Sequence, residues 1–199
     1  MHVLAWVAAA VVAAWPIGAA LASPLLPSRD LIWVVGGMAG VVALSLLLVQ
    51  PLLAIEVGTG AARRWRRWHG AVGLLIGAAI VLHVGALYAT SPDDITDALL
   101  LVAPTPFSLY GVIGLWATVV TIALALARRI LRLPFRPWRM VHSLLALVIV
   151  AASASHAWMI DGAMEGLSKT IVVLAALAAT SFAVIEINLL APMRRARRL

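Results

Sequence analysis

Six stretches of the chain run apolar for long enough to matter: 3–22, 31–55, 69–90, 107–129, 139–159 and 168–191. A helix rises about 1.5 Å per residue, so some 20 residues cover the ~30 Å hydrocarbon core of a bilayer. The pattern predicts an all-α, integral membrane six-helix bundle, with residues 1–199 forming a single transmembrane domain and only short loops between spans. The first run ends in Ala20-Leu21-Ala22 before Ser23-Pro24, which resembles a signal cleavage site. It is long and lacks a positive leading segment, so it reads as a helix. Between the third and fourth runs, Asp93-Asp94-Ile95-Thr96-Asp97 followed by Ala98–Val102 is too short to span. It predicts a surface-lying helix stopped by Pro104 and Pro106.

Composition agrees that lipid is the solvent: 64% of residues are hydrophobic, 12% are charged and mean hydropathy is +1.06. A soluble domain so poor in charge would expose apolar patches large enough to aggregate. In a soluble protein the net charge of +7 would suggest nucleic acid; here nucleic acid is not expected, because the basic residues are sorted by loop. Arg63, Arg64, Arg66 and Arg67 lie between the second and third runs, Arg128, Arg129, Arg132, Arg136 and Arg139 between the fourth and fifth, and Arg194, Arg195, Arg197 and Arg198 after the sixth. Asp30, Asp93, Asp94, Asp97, Asp161 and Glu165 occupy the alternate loops with only Arg29 and Lys169. The positive-inside rule then puts both termini in the cytoplasm, with the bacterial inner (plasma) membrane as the expected location. Trp65, Trp68 and Trp138 fall at the cytoplasmic boundary and Trp33 and Trp158 near the outer one, whereas Trp6, Trp15 and Trp116 read as packing. The absence of cysteine removes disulfides, thiolate-held clusters and thioether-linked haem.

The candidate chemistry lies in a doubled string. Trp65-Arg66-Arg67-Trp68-His69 is followed by His83, and Trp138-Arg139-Met140-Val141-His142 by His156; both read W-R-x-x-H-x13-H, 73 residues apart (142 minus 69). Only His2 lies elsewhere. Ionisable groups inside a bilayer are costly and mark function by default, although one histidine bonding a neighbouring helix would be unexceptional. Fourteen residues advance a helix by about 21 Å and turn it to within about 40° of where it began, so both histidines of a span share a face at different depths. The two spans run in the same direction, which levels His69 with His142 and His83 with His156.

That geometry selects a cofactor. A lone zinc or copper ion wants about four protein ligands and would find two at each level. Haem brings four equatorial nitrogens and asks only for axial ligands. Two levels imply two non-covalent b-type haems, with iron held by His69/His142 and by His83/His156. On the same faces Gly73, Ile76 and Ile80 match Ala146, Ile149 and Ser153; the small Gly73 and Ala146 would admit a flat macrocycle or serve plain helix packing. Arg66 and Arg139, one turn before the inner histidines, are candidates to fork onto haem propionates, though any cytoplasmic loop gathers arginine. Glu56 and Glu186 could pair with the arginines or pass protons near a quinone. Asn188 suggests no chemistry, and Gln50-Pro51 reads as a locally satisfied kink.

With these residues in place, the chain resembles the ferric reductase-like transmembrane domain family, which includes ferric reductases, the membrane domains of NADPH oxidases, six-span metalloreductases and a bacterial methionine sulfoxide reductase membrane subunit. The resemblance implies six helices, with b haems between the third and fifth spans on His69, His83, His142 and His156. Oxidase and ferric reductase relatives carry a cytoplasmic flavin and nicotinamide domain after the last helix, whereas this sequence ends at Arg197-Arg198-Leu199 without a G-x-G-x-x-G or P-loop. The expected donor is therefore a separate cytoplasmic redox protein, such as a flavoprotein, or a membrane quinol, and the acceptor is periplasmic. Three readings stand: an electron conduit, a quinol-linked cytochrome b anchor, and a haem-free scaffold. The basic inner face suits either an acidic flavoprotein or anionic lipid. An odd number of spans would break the charge pattern. Reporters fused after Arg67 and after Arg132 should both register the cytoplasm, and one fused after Asp94 the opposite side.

Overall fold

The computed structural model describes residues 3–56 and 62–197. His2 and Arg198 lie outside them. The described chain is all-helical: α1 (Val3–Leu21), α2 (Leu31–Glu56), α3 (Ala62–Thr90), α4 (Pro92–Leu99), α5 (Pro106–Ile130), α6 (Phe135–Met159), α7 (Gly166–Ile185) and α8 (Ala191–Ala196), with one π-helical turn, Glu186–Leu190, joining the last two. Among the described residues six helices are long and apolar enough to cross a membrane: α1, α2, α3, α5, α6 and α7, the last carried on through the π turn.

Hydropathy located these helices and misjudged several ends. α3 begins at Ala62 rather than at 69, and α6 at Phe135 rather than at 139. Arginine forms helices well and can lay its stem along apolar surface, so backbone hydrogen bonding continues where the apolar run stops. The doubled W-R-x-x-H strings are thus helical throughout. The opposite error occurs at α4, which ends at Leu99 well before Pro104. Leu101 takes a left-handed conformation (φ 62°), and the amides of Val102 and Ala103 turn back onto the Asp97 carbonyl at 2.9 and 3.1 Å. The chain is closed there by a left-handed helix cap, so the apolar Ala98–Val102 segment is only partly helical.

α2 is the mast of the bundle, packing against α1, α3 and α7, while α6 packs on α5 and α7. At mid-depth Leu47 and Leu48 of α2 meet Ile76 of α3, Ala117 of α5, Ile149 and Val150 of α6 and Ala176 of α7. A second cluster joins Leu44 to Ala154, Val172 and Val173, and a third joins Ala20, Val41 and Ala163. Small residues recur at these crossings because helices in lipid associate by close backbone approach rather than by a hydrophobic drive. Large apolar side chains such as Leu4, Leu74, Val81, Leu126 and Ile130 point outward, as a lipid-facing surface requires. Trp6 is not deep packing: it stacks on Trp65 with ring centres 5.6 Å apart, tying α1 to the basic end of α3.

Glu165 caps α7, its carboxylate accepting the Leu167 and Ser168 amides at 2.6 Å each. These two backbone hydrogen bonds hold the exposed carboxyl below its ordinary value of 4.5. A lowered folded-state value means that the cap is fully present above the ordinary value and is lost as pH falls through the lowered one. Thermal unfolding in detergent should show Glu165→Ala less stable than the parent at neutral pH, with the gap closing as the medium is acidified. A gap that holds constant to low pH would contradict the cap.

Candidate functional site: two levels of paired imidazoles

The outer level joins His83 of α3 to His156 of α6, with ring centres 6.3 Å apart and planes at 83°. His83 Nδ1 lies 2.7 Å from the Gly36 carbonyl of α2, and His156 Nδ1 lies 2.8 Å from the Phe107 carbonyl of α5. A carbonyl can only accept, so Nδ1 carries the proton and Nε2 keeps its lone pair for another partner. A glycine sits one turn beyond each carbonyl. A Cβ on Gly40 would stand 2.9 Å from His83 Nδ1, and one on Gly111 would stand 2.8 Å from His156 Nδ1. Side chains in a helix lean toward its N-terminus, so residue i+4 shades the carbonyl of residue i. Glycine there uncovers the second lone pair without breaking the intrahelical bond. Gly36/Gly40 and Phe107/Gly111 are the same device used twice.

The inner level joins His69 of α3 to His142 of α6, with ring centres 6.2 Å apart and planes at 61°. His69 and Gln50 clamp each other: His69 Nδ1 meets the Gln50 carbonyl at 3.2 Å, and Gln50 Nε2 donates to the His69 carbonyl at 3.0 Å. Ala54 occupies the shading position here, and the bond is longer than its glycine-assisted counterparts. His142 differs. Its Nδ1 is buried without a hydrogen-bond partner among the described residues, as are Gln50 Oε1 and Trp138 Nε1. Trp138, one turn earlier, stacks on the imidazole at 5.1 Å and 22°, and the Arg128 guanidinium lies over the indole at 4.3 Å.

The sequence-predicted residues fall as follows. The four histidines meet in two level pairs, so α3 and α6 run in the same direction. A Cβ on Gly73 would stand 3.0 Å from Gln50 Nε2, so its smallness admits the clamp. Ile76 and Ile149 are buried in the mid-depth cluster. Arg66 is exposed, whereas Arg139 is half-buried with Nε donating to Asn188 Oδ1 at 3.2 Å. Asn188 therefore has a structural role, its Nδ2 also donating to Ser143 Oγ and the Val184 carbonyl at 3.0 Å each. Glu186 pairs with Arg194, and Glu56 is buried at the end of α2. Sequence reasoning missed Gly36, Gly40, Phe107 and Gly111, whose signal was a four-residue spacing placed 47 and 49 residues before the outer histidines. It also missed Gln50, hidden behind the more conspicuous Pro51.

Among the described residues no third His, Cys, Asp or Glu joins either pair to make a metal cluster. Fold and site together define an all-helical integral membrane protein with two bis-imidazole levels inside the bundle. The sequence model for the ferric reductase-like transmembrane component matches residues 39–153, more than half of the chain, and the protein belongs to that family. The match takes in His69, His83 and His142 and ends three residues before His156. No curated protein and no solved structure matches the chain.

The glycine device can be tested within one helix. Gly40→Ala should destabilise the fold by about 1–3 kcal/mol, the usual range for an overpacked site. Gly37→Ala, with nothing within 4 Å of its added methyl, should be neutral or slightly stabilising. Thermal unfolding of both variants in the same detergent checks this; equal effects would remove the steric argument.

Proposed function

We propose that the chain is a two-haem b-type transmembrane electron-transfer protein. It would carry electrons from a cytoplasmic donor, such as a separate flavoprotein, to a periplasmic acceptor, working in a bacterial plasma membrane with both termini in the cytoplasm. Family membership supports transmembrane electron transfer. The ring spacing is the observation that carries the finer reading. A first-row metal ion takes an imidazole nitrogen at about 2.0–2.1 Å, and the ring centre lies about 1.2 Å further back, so two axial imidazoles on one iron have centres about 6.4 Å apart. The observed spacings of 6.2 and 6.3 Å fit that requirement at both levels. The donor set fits as well: three of the four Nδ1 atoms are turned to backbone carbonyls, leaving Nε2 to bind metal.

On this reading His69 and His142 hold the inner haem and His83 and His156 the outer one. Bound haem supplies an iron that cycles between ferric and ferrous states and so takes and passes single electrons. The protein's contributions are placement and insulation. Gly36 and Phe107 fix tautomer and ring orientation through their carbonyls. Ile76, Ile149, Leu47 and Leu48 fill the space between levels with side chains that exclude water. Arg66 and Arg139 mark the inner end with positive charge, Arg139 from a position fixed by Asn188. This charge would attract an acidic donor and suits haem propionates.

A second reading keeps the haems and makes the donor a membrane quinol, with the chain as the cytochrome b anchor of a redox complex. Gln50 Oε1, without a partner among the described residues, favours it as an acceptor for a quinol hydroxyl near the inner level. Haem reduction by a quinol analogue in flavoprotein-free membranes separates the two. The common core is tested by a pyridine haemochrome assay on purified protein. Two b haems per chain are expected, falling to one in His83→Ala or His156→Ala; protein without haem, or His83→Ala with both haems retained, refutes the proposal.

A further inference from the structure

The repeat that builds the two levels is broken at one place. α2 lends α3 two carbonyls, Gly36 to His83 and Gln50 to His69. α5 lends α6 only one, Phe107 to His156. The glycines of α5, Gly111 and Gly114, both lie in its outer half. No glycine follows Gly114 in α5, so its inner half offers no position like Gly111. Thr121, which stands to Phe107 as Gln50 stands to Gly36, turns its hydroxyl to its own helix, bonding the Ala117 carbonyl at 2.7 Å. His142 is left with a stacked indole and, among the described residues, no acceptor for its Nδ1.

We propose that Trp138 is the positioning residue for His142, holding by ring stacking the orientation that a backbone carbonyl gives the other three histidines. We further propose that this makes the inner pair the higher-potential haem site. The inference rests on the haem reading above. Trp138 suits the task because its own Nε1–H is engaged by no acceptor among the described residues, and the indole is braced by stacking and by Arg128 at 4.3 Å. Cation–π attraction to a guanidinium fixes such a plane without a hydrogen bond. An Nδ1–H···O=C bond makes an imidazole a stronger electron donor to its metal and so favours ferric iron. One inner ligand lacks that bond, and the outer pair has it on both sides. The Arg128 charge on the inner side works in the same direction, because positive charge favours the reduced, less positive iron.

The test uses purified, haem-loaded protein. Trp138→Leu should release His142: the inner haem should gain a high-spin ferric fraction, bind carbon monoxide when reduced and shift its midpoint, while the outer haem keeps its low-spin signal. Trp138→Phe should restore most of the low-spin character. Low-spin signals and midpoints left unchanged by Trp138→Leu would overturn the proposal. Should that variant fail to fold, the parent and His83→Ala still decide: the haem that remains after the outer one is removed must titrate at the higher of the parent's two midpoints. If it titrates at the lower, the proposal is overturned while the two-haem reading stands. A parent without haem overturns both.

Discussion

A ring nitrogen inside a bilayer has no water to turn to, and the way this chain satisfies that nitrogen shapes the rest of the bundle. A helical carbonyl already accepts an amide four residues on, but it has a second lone pair. Using that pair avoids breaking the helix in a solvent that would leave freed backbone groups unpaired. The constraint is steric, since a side chain one turn ahead limits how closely the ring can approach. Gly40 and Gly111 relieve it, and their neighbouring histidines sit at 2.7 and 2.8 Å from the carbonyls they expose. Where Ala54 stands in that position the distance is 3.2 Å. Close approach also fixes which helices pack: α2 must press on α3, and α5 on α6.

Two carbonyl acceptors and much of the core are assigned to α2, which explains its central position. It carries the acceptors for both histidines of α3 and the largest group of buried residues in any one helix. Its Pro51 removes one amide, and Gln50 beside it contributes both backbone and side chain to His69. A sequence feature that reads as a kink is also half of a clamp. At the inner end of the bundle, Asn188 performs a comparable service, using the π turn after α7 to tie Arg139 to Ser143 and Val184. A π turn points side chains where a regular helix would not, and such turns are frequent at functional sites.

Much of this is legible in the sequence. Six apolar runs gave six helices because length and hydropathy decide what a bilayer accepts, and the doubled histidine spacing gave the level pairing because helical rise is fixed. What escaped were features that neither hydropathy nor local spacing encodes. The starts of α3 and α6 were placed too late because arginine ends an apolar run without ending a helix. The sequence leaves Gly73 open between a macrocycle and helix packing, and its neighbour is Gln50, since nothing local says which helix a small residue faces. Gly40 and Gly111 look like any packing glycines until the carbonyl one turn back is seen to have a partner. Asn188 was given no role because its partner is 49 residues away in the chain.

The two helix pairs, α2 with α3 and α5 with α6, match at the outer level and diverge at the inner one, and that divergence bears on direction. On the proposed reading, an electron entering from the cytoplasm meets first the site that holds it more firmly. Passage outward is then locally uphill, which would be a poor design in an unpolarised bilayer. An energised plasma membrane is negative inside, and moving one charge across it is worth about 2.3 kcal/mol per 100 mV. The histidine levels are separated by about 21 Å of a roughly 30 Å core, so most of that drop falls between them. The field pulls the electron in the direction that the ligand asymmetry resists.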